Sequence, residues 1–178
     1  MKLAACLFAL PLVVSVAWAP PAHAQSDSDR QAAQALFDSA DELMKSKNYA
    51  AACPKLEEVT RLVPDGLGAK LTLAECYEGA GKLASAWSTY SQVESLAARL
   101  NQPDRQTLAR DRATALKPRL AKLVIKVAPA IASLKGLVVK RDGKPVGTAQ
   151  FGEAIPADIG DHTIEVTAEG KLPWSAPA

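Results

Sequence analysis

The chain has 178 residues, room for one or two small domains. Lys and Arg number 21 against 19 acids, so net charge by itself decides nothing about partners, and any electrostatic role must be local.

The first segment is a leader. Lys2 precedes an apolar run from Leu3 to Trp18, then Pro20-Pro21 and Ala22-His23-Ala24. A basic start, an apolar stretch and a small-x-small site predict a secretory signal cut after Ala24. A retained membrane helix fits less well, because the run is short for a bilayer and ends in prolines. Leu3-Ala4-Ala5-Cys6 matches the lipoprotein box in letters, but Cys6 stands before the apolar run rather than after it, so that reading is rejected. Residues 1–24 are set apart as signal peptide, which predicts export to the periplasm or cell envelope and no transmembrane segment after cleavage.

Helical spacing follows. Ser28 and Gln31 have capping-box spacing, predicting a first helix from Asp29 to Lys47. A second covers Tyr49 to Leu62. Pro64-Asp65-Gly66 is a turn, with Asp65 as candidate N-cap for a third helix over Leu67 to Gly79. A fourth runs from Lys82 to Leu100, and Pro103 opens a fifth, which carries Leu108, Ala115, Leu116 and Leu120 on one side and which Pro118 should end or kink. The breaks at Asn48 and at Gly79 and Gly81 suit left-handed helix ends. Within this region one pattern is written twice. Ser39, Ala40, Leu43, Ala52, Leu56 and Val59 recur 34 residues later as Leu73, Ala74, Tyr77, Ala86, Tyr90 and Val93. A self-match at such a period marks a helical repeat.

Those positions resemble the tetratricopeptide repeat (TPR). Ala40/Ala74, Leu43/Tyr77, Ala52/Ala86, Leu56/Tyr90 and Pro64 carry the resemblance. Ala40 and Ala74 replace its usual glycine, Ser39 replaces a leucine, and no proline closes the second copy. The resemblance implies two helix hairpins over residues 25–120, capped by the fifth helix. It also implies an inner face that binds protein partners, onto which Gln34, Phe37, Asp41, Met44 and Lys45 map from the first copy, and Leu71, Glu75 and Glu78 from the second. That mixture of apolar and acidic groups suits an extended peptide carrying a basic group. On helical spacing alone, Phe37 and Leu71 equally suit the core.

Cys6 leaves with the signal, so the exported chain keeps Cys53 and Cys76. An even count in an oxidising compartment predicts a disulfide. The two lie at equal sequence distance either side of the Pro64-Asp65 turn, so they stand level in an antiparallel helix pair. The alternative is two small buried hydrophobes.

After Leu120 the period changes from helix to strand. Leu123, Ile125 and Val127 alternate with Lys122, Val124 and Lys126. Leu137 to Arg141 forms a second strand, Asp142-Gly143 a hairpin turn, and Lys144 to Val146 the return, with Pro145 marking an edge. Phe151 to Ile155 is a poorer strand. Ile164, Val166 and Ala168 alternate with Thr163, Glu165 and Thr167. Strands with short turns and no helices predict a small antiparallel sheet or sandwich over residues 121–178, and an α+β chain as a whole. Gly143, the run Gly160-Asp161-His162-Thr163-Ile164-Glu165-Val166 and Glu169-Gly170 resemble the PEGA-type β-domain, found beside helical repeats in exported bacterial proteins. Ile159 stands where that family has proline. The resemblance implies one or two further strands after Trp174. The sheet is therefore expected to be incomplete, with an open edge, either through truncation or because a partner supplies the strand.

No catalytic pattern emerges. His162 is the one histidine after the leader, and its parity with Ile164 and Val166 suits a hydrogen-bonded packing residue. Metal spacings and a serine elbow are absent from the sequence. Gly66-Leu67-Gly68-Ala69-Lys70 lacks the length, the Ser or Thr and the preceding strand of a phosphate loop. Glu57-Glu58 and Asp41-Glu42 are helix neighbours that point apart. Charge is uneven: residues 104–144 hold eleven Lys or Arg and three acids, whereas residues 145–178 hold one and five. This basic middle suits an anionic envelope polymer or a lipid headgroup, although it equally suits a solubilising surface or attraction to the acidic parts of the same chain; the hairpin at Lys140, Arg141 and Lys144 within it suits cell-wall glycan. Nucleic acid does not suit an exported protein. The expectation is an exported, cofactor-free, non-enzymatic adaptor, with glycan binding by the β-domain as the alternative.

Overall fold

The computed structural model describes residues 27–178. The predicted signal and its cleavage site lie outside the described residues. The chain is α+β, with helices followed by antiparallel strands in two small sheets. Among the described residues no helix is long and apolar enough to cross a membrane.

Five helices come first: α1 (Asp27–Lys45), α2 (Tyr49–Leu62), α3 (Leu67–Gly79), α4 (Leu83–Arg99) and α5 (Pro103–Leu116). The 34-residue period is a period of backbone geometry. α1 ends at Lys45 and α3 at Gly79; α2 begins at Tyr49 and α4 at Leu83. In the first turn Lys47 is left-handed (φ 57°) and the Asn48 amide donates to the Leu43 carbonyl at 2.8 Å; in the second Gly81 is left-handed (φ 76°) and the Lys82 amide donates to the Tyr77 carbonyl at 2.8 Å. These are the bonds that close a helix on a left-handed residue. The same closure ends α4, where Asn101 has φ 53° and Gln102 donates to the Ala97 carbonyl at 2.9 Å.

Several local expectations shift. α1 starts at Asp27, so Ser28 lies in its first turn, and it stops two residues early because Lys47, rather than Asn48, turns left-handed. Asn48 instead caps α2, accepting the Ala51 amide. Gly79 is helical; its lack of a side chain makes room for the Tyr49 ring, which a Cβ there would strike. Asp65 does not cap α3, because Gly66 occupies that position. On α5 the buried residues are Ala109, Ala113 and Leu116, while Leu108 is 46% exposed. The two alanines let α5 lie close against α4, and that rotation turns Leu108 and Ala115 outward.

Repeat counterparts share their environment. Ala40 and Ala74, Ala52 and Ala86, Leu56 and Tyr90, and Val59 and Val93 are all buried. All but Val59 fall in two adjoining clusters, one around Leu56 and Cys53, one around Tyr90 and Leu116, with Tyr77 packed against both. Within the first cluster Cys53 of α2 and Cys76 of α3 form a disulfide, their Cα atoms 5.7 Å apart. With Tyr49 against Gly79, this sets α2 and α3 antiparallel.

The strands are β1 (Lys122–Val124), β2 (Val138–Arg141), β3 (Lys144–Val146), β4 (Ala154–Pro156), β5 (Thr163–Thr167) and β6 (Trp174–Pro177), with a short helical turn α6 (Pro129–Ala132) where only strands were expected. One sheet has order β3-β2-β5-β6; the other is the pair β1-β4. Pro145 does sit on an edge strand. The regular ladder of the first strand ends at Val124, earlier than its alternation suggests, and beyond it one bond continues, from the Gly152 amide to the Ile125 carbonyl. The tail itself forms β6 and pairs with β5, so the open edge expected of the sheet lies at β6.

Candidate functional site

The residues mapped to a helical inner face divide by role. Phe37 and Met44 pack on the cluster around Cys53, and Leu71 on the cluster around Tyr90. Glu78 accepts the Tyr90 hydroxyl at 3.2 Å and faces Arg112 at 3.8 Å. Burial and then the Glu78 carboxylate push the Tyr90 phenol well above its usual range, so it stays a donor. The groups left at the surface are Gln34, which donates to Asp38, the Asp41–Lys45 pair at 2.8 Å, and Glu75.

The basic hairpin also divides. Arg141 pairs across the turn with Lys144, whereas Lys140 pairs with Pro145 and Glu165. Neighbours in a strand point to opposite faces, so Lys140 stands away from the other two. Arg141 and Lys144 turn toward the helices and line a cleft of about 520 Å³ between the two parts of the chain. Lys70, Tyr77, Trp87 and Gln92 line it from the helical side. The Trp87 indole nitrogen is buried and has no hydrogen-bond partner among the described residues.

One wall of this cleft joins the two parts, and sequence reasoning missed it. Asp158, just after β4, places its carboxylate at the N-terminus of α4. Its Oδ1 accepts the Ala84 and Ser85 amides at 2.8 and 3.0 Å, and its Oδ2 accepts the Ser85 hydroxyl at 2.6 Å. This is an N-cap supplied from 73 residues away, satisfying donors that the helix cannot bond itself. Lys82, the local cap residue, makes no side-chain cap bond. The only signal in the sequence was the turn-forming run Asp158-Ile159-Gly160-Asp161, which says nothing about a distant helix end.

His162 locks that loop. Its Nε2 donates to the Asp158 carbonyl at 2.8 Å and its Nδ1 meets Asp142 Oδ2 at 2.7 Å; Asp142 Oδ1 accepts the Thr163 amide at 2.9 Å. Both ring nitrogens face acceptors, so the imidazolium form satisfies both. The Asp158 carbonyl and then Asp142 raise the His162 pKa above its ordinary value. Burial alone would raise that of Asp142, but the Thr163 amide and His162 hold it below the usual carboxylate range. The packing role expected of His162 accounts for both its ring nitrogens. Among the described residues no group of His, Cys, Asp and Glu is arranged to hold a metal ion.

A scan against protein-family models finds no match, and a search of curated proteins finds none either.

Proposed function

We propose that this chain is an exported, non-enzymatic adaptor of the cell envelope, with tetratricopeptide-type hairpins and a PEGA-like β-domain, binding protein partners through its helical surface. One observation carries the reading: two hairpins repeat their left-handed turns, the bonds that close them and their buried positions 34 residues apart. Stacked copies of one hairpin generate extended surface rather than a reaction centre. The Cys53–Cys76 bridge supports an oxidising destination. A photo-crosslinking side chain at Glu75, with one at exposed Thr114 as control, tests the binding face in envelope extracts. Discrete adducts from position 75 and none from 114 are expected; identical adducts from both would remove the helical face from the proposal.

A second reading has its own observation. Lys70, Arg141 and Lys144 converge on a cleft that also holds Tyr77 and Trp87. Aromatic faces beside cations suit a cell-wall glycan or an anionic envelope polymer. Sedimentation with purified cell wall tests it. The paired change Lys70→Glu and Lys144→Glu should lower the bound fraction and Lys140→Glu should not; equal binding by all three proteins would reject the cleft.

A further inference from the structure

The smaller sheet covers only part of the larger. Leu123 and Ile155 of the pair β1-β4 share a cavity with Arg141, Lys144 and Val146, which sets that pair over the β2-β3 side. On the other side an apolar cleft of about 850 Å³ opens, where Ile125 and Val127 face Val166 and Trp174. Trp174 lies level with Val166 and Val139 on the inner face of its sheet. On the edge strand β6 it is nonetheless 55% exposed, bordering Val138 and Lys140 on the outer face as well.

The side of β1 away from β4 flanks this cleft. The Ala121 and Ile125 carbonyls accept the Ala157 and Gly152 amides at 3.0 and 2.9 Å, on the β4 side. Main-chain groups alternate in direction along an antiparallel strand. Those of Lys122, Val124 and Lys126 therefore face the other way, and among the described residues Lys126 and Val127 have no main-chain partner. The alternation of half-buried and exposed side chains runs on unbroken from Leu123 to Val127.

We infer that this edge takes an extended segment of a partner protein in which apolar side chains alternate with acidic ones. Added beside β1, the segment would lie over β5 and β6 and cover Trp174. Its apolar residues would enter the cleft, and its acids would stand opposite Lys122 and Lys126, where unlike charges on neighbouring strands attract. Edge lysines discourage indiscriminate strand pairing; here they select for acid. An acyl chain would fill the apolar volume but leave the main-chain groups of β1 unanswered. The surface is separate from the helical face and from the cleft at Arg141, so the inference stands apart from both readings above.

The test uses a short synthetic peptide alternating valine and glutamate, titrated into the exported chain. Binding should protect the Val124 and Lys126 amides from exchange and shift Trp174 emission to the blue, read in a Trp87→Phe background. Methylating the peptide amides that face β1 should weaken binding about tenfold or more, as expected for lost hydrogen bonds. Val124→Pro removes a donor on the free side only, a place where strands tolerate proline. It should abolish binding while circular dichroism and the disulfide are unchanged. If that variant misfolds, the methylated peptide decides alone. Equal binding of the methylated peptide, competition by a fatty acid, or burial of Trp174 by self-association without peptide would each overturn the inference.

Discussion

Asp158 and Ser85 are 73 residues apart in sequence, yet the carboxylate of one holds both the hydroxyl and the amide of the other. Capping is normally a local matter; here it joins two parts of the chain. Asp158→Ala leaves the Ala84 and Ser85 amides unbonded and should destabilise the protein by about 1–2 kcal/mol, read by urea denaturation. If the bond couples the two parts, Ser85→Ala and Asp158→Ala together should cost less than the sum of each alone.

The lock on that loop titrates. His162 has its pKa raised in the folded state, so its contribution is fully present below the unfolded value and is lost as pH rises through the folded one. Asp142 is lowered, so its contribution is present above its unfolded value and fades as pH falls through the folded one. The pair therefore stabilises most between about pH 4 and 6.5, the ordinary values of the two groups. Melting temperature should fall from pH 6 to 8 in the native chain more steeply than in His162→Gln. Parallel curves would remove His162 from the linkage.

The bridge between α2 and α3 closes a loop of modest length. Its removal by Cys53→Ser with Cys76→Ser should cost roughly 3 kcal/mol on the chain-entropy estimate. Thermal melts of the native and double-serine proteins measure this directly. Mass spectra with and without reductant, after alkylation, report whether the thiols are paired.

Gly79→Ala places a methyl group against the Tyr49 ring. Overpacking of this kind costs about 1–3 kcal/mol. Tyr49→Leu in the same chain should recover part of the loss, since the clash involves the ring alone. A chevron or equilibrium melt of the three variants resolves it; an unchanged stability in Gly79→Ala would show that the ring moves aside freely.

The helical half was legible because its signals are local. A period of 34 residues, small residues at fixed offsets and turn formers between them placed four helices to within two residues at nearly every end. The disulfide followed from counting along an antiparallel pair. What escaped depends on three-dimensional placement. The rotation of α5 was set by Ala109 and Ala113, which look unremarkable beside Leu108 in a linear reading. The tail strand was hidden by Pro173 and Pro177, which read as a terminus, not as a partner for Thr163 to Val166. The split of Lys140 from Arg141 and Lys144 was available from strand parity, but the three had been grouped by proximity in sequence. The Asp158 cap had no local signature, because the donor helix and the acceptor loop belong to different parts of the fold.

Tyr77 touches both helical clusters and also lines the cleft facing the strands, while its hydroxyl donates to Glu57 at 2.8 Å. One side chain thus shares a border with the first hairpin, the second hairpin and the inter-module space. A molecule lodged in that space would press on a ring whose other face is the seam between repeats.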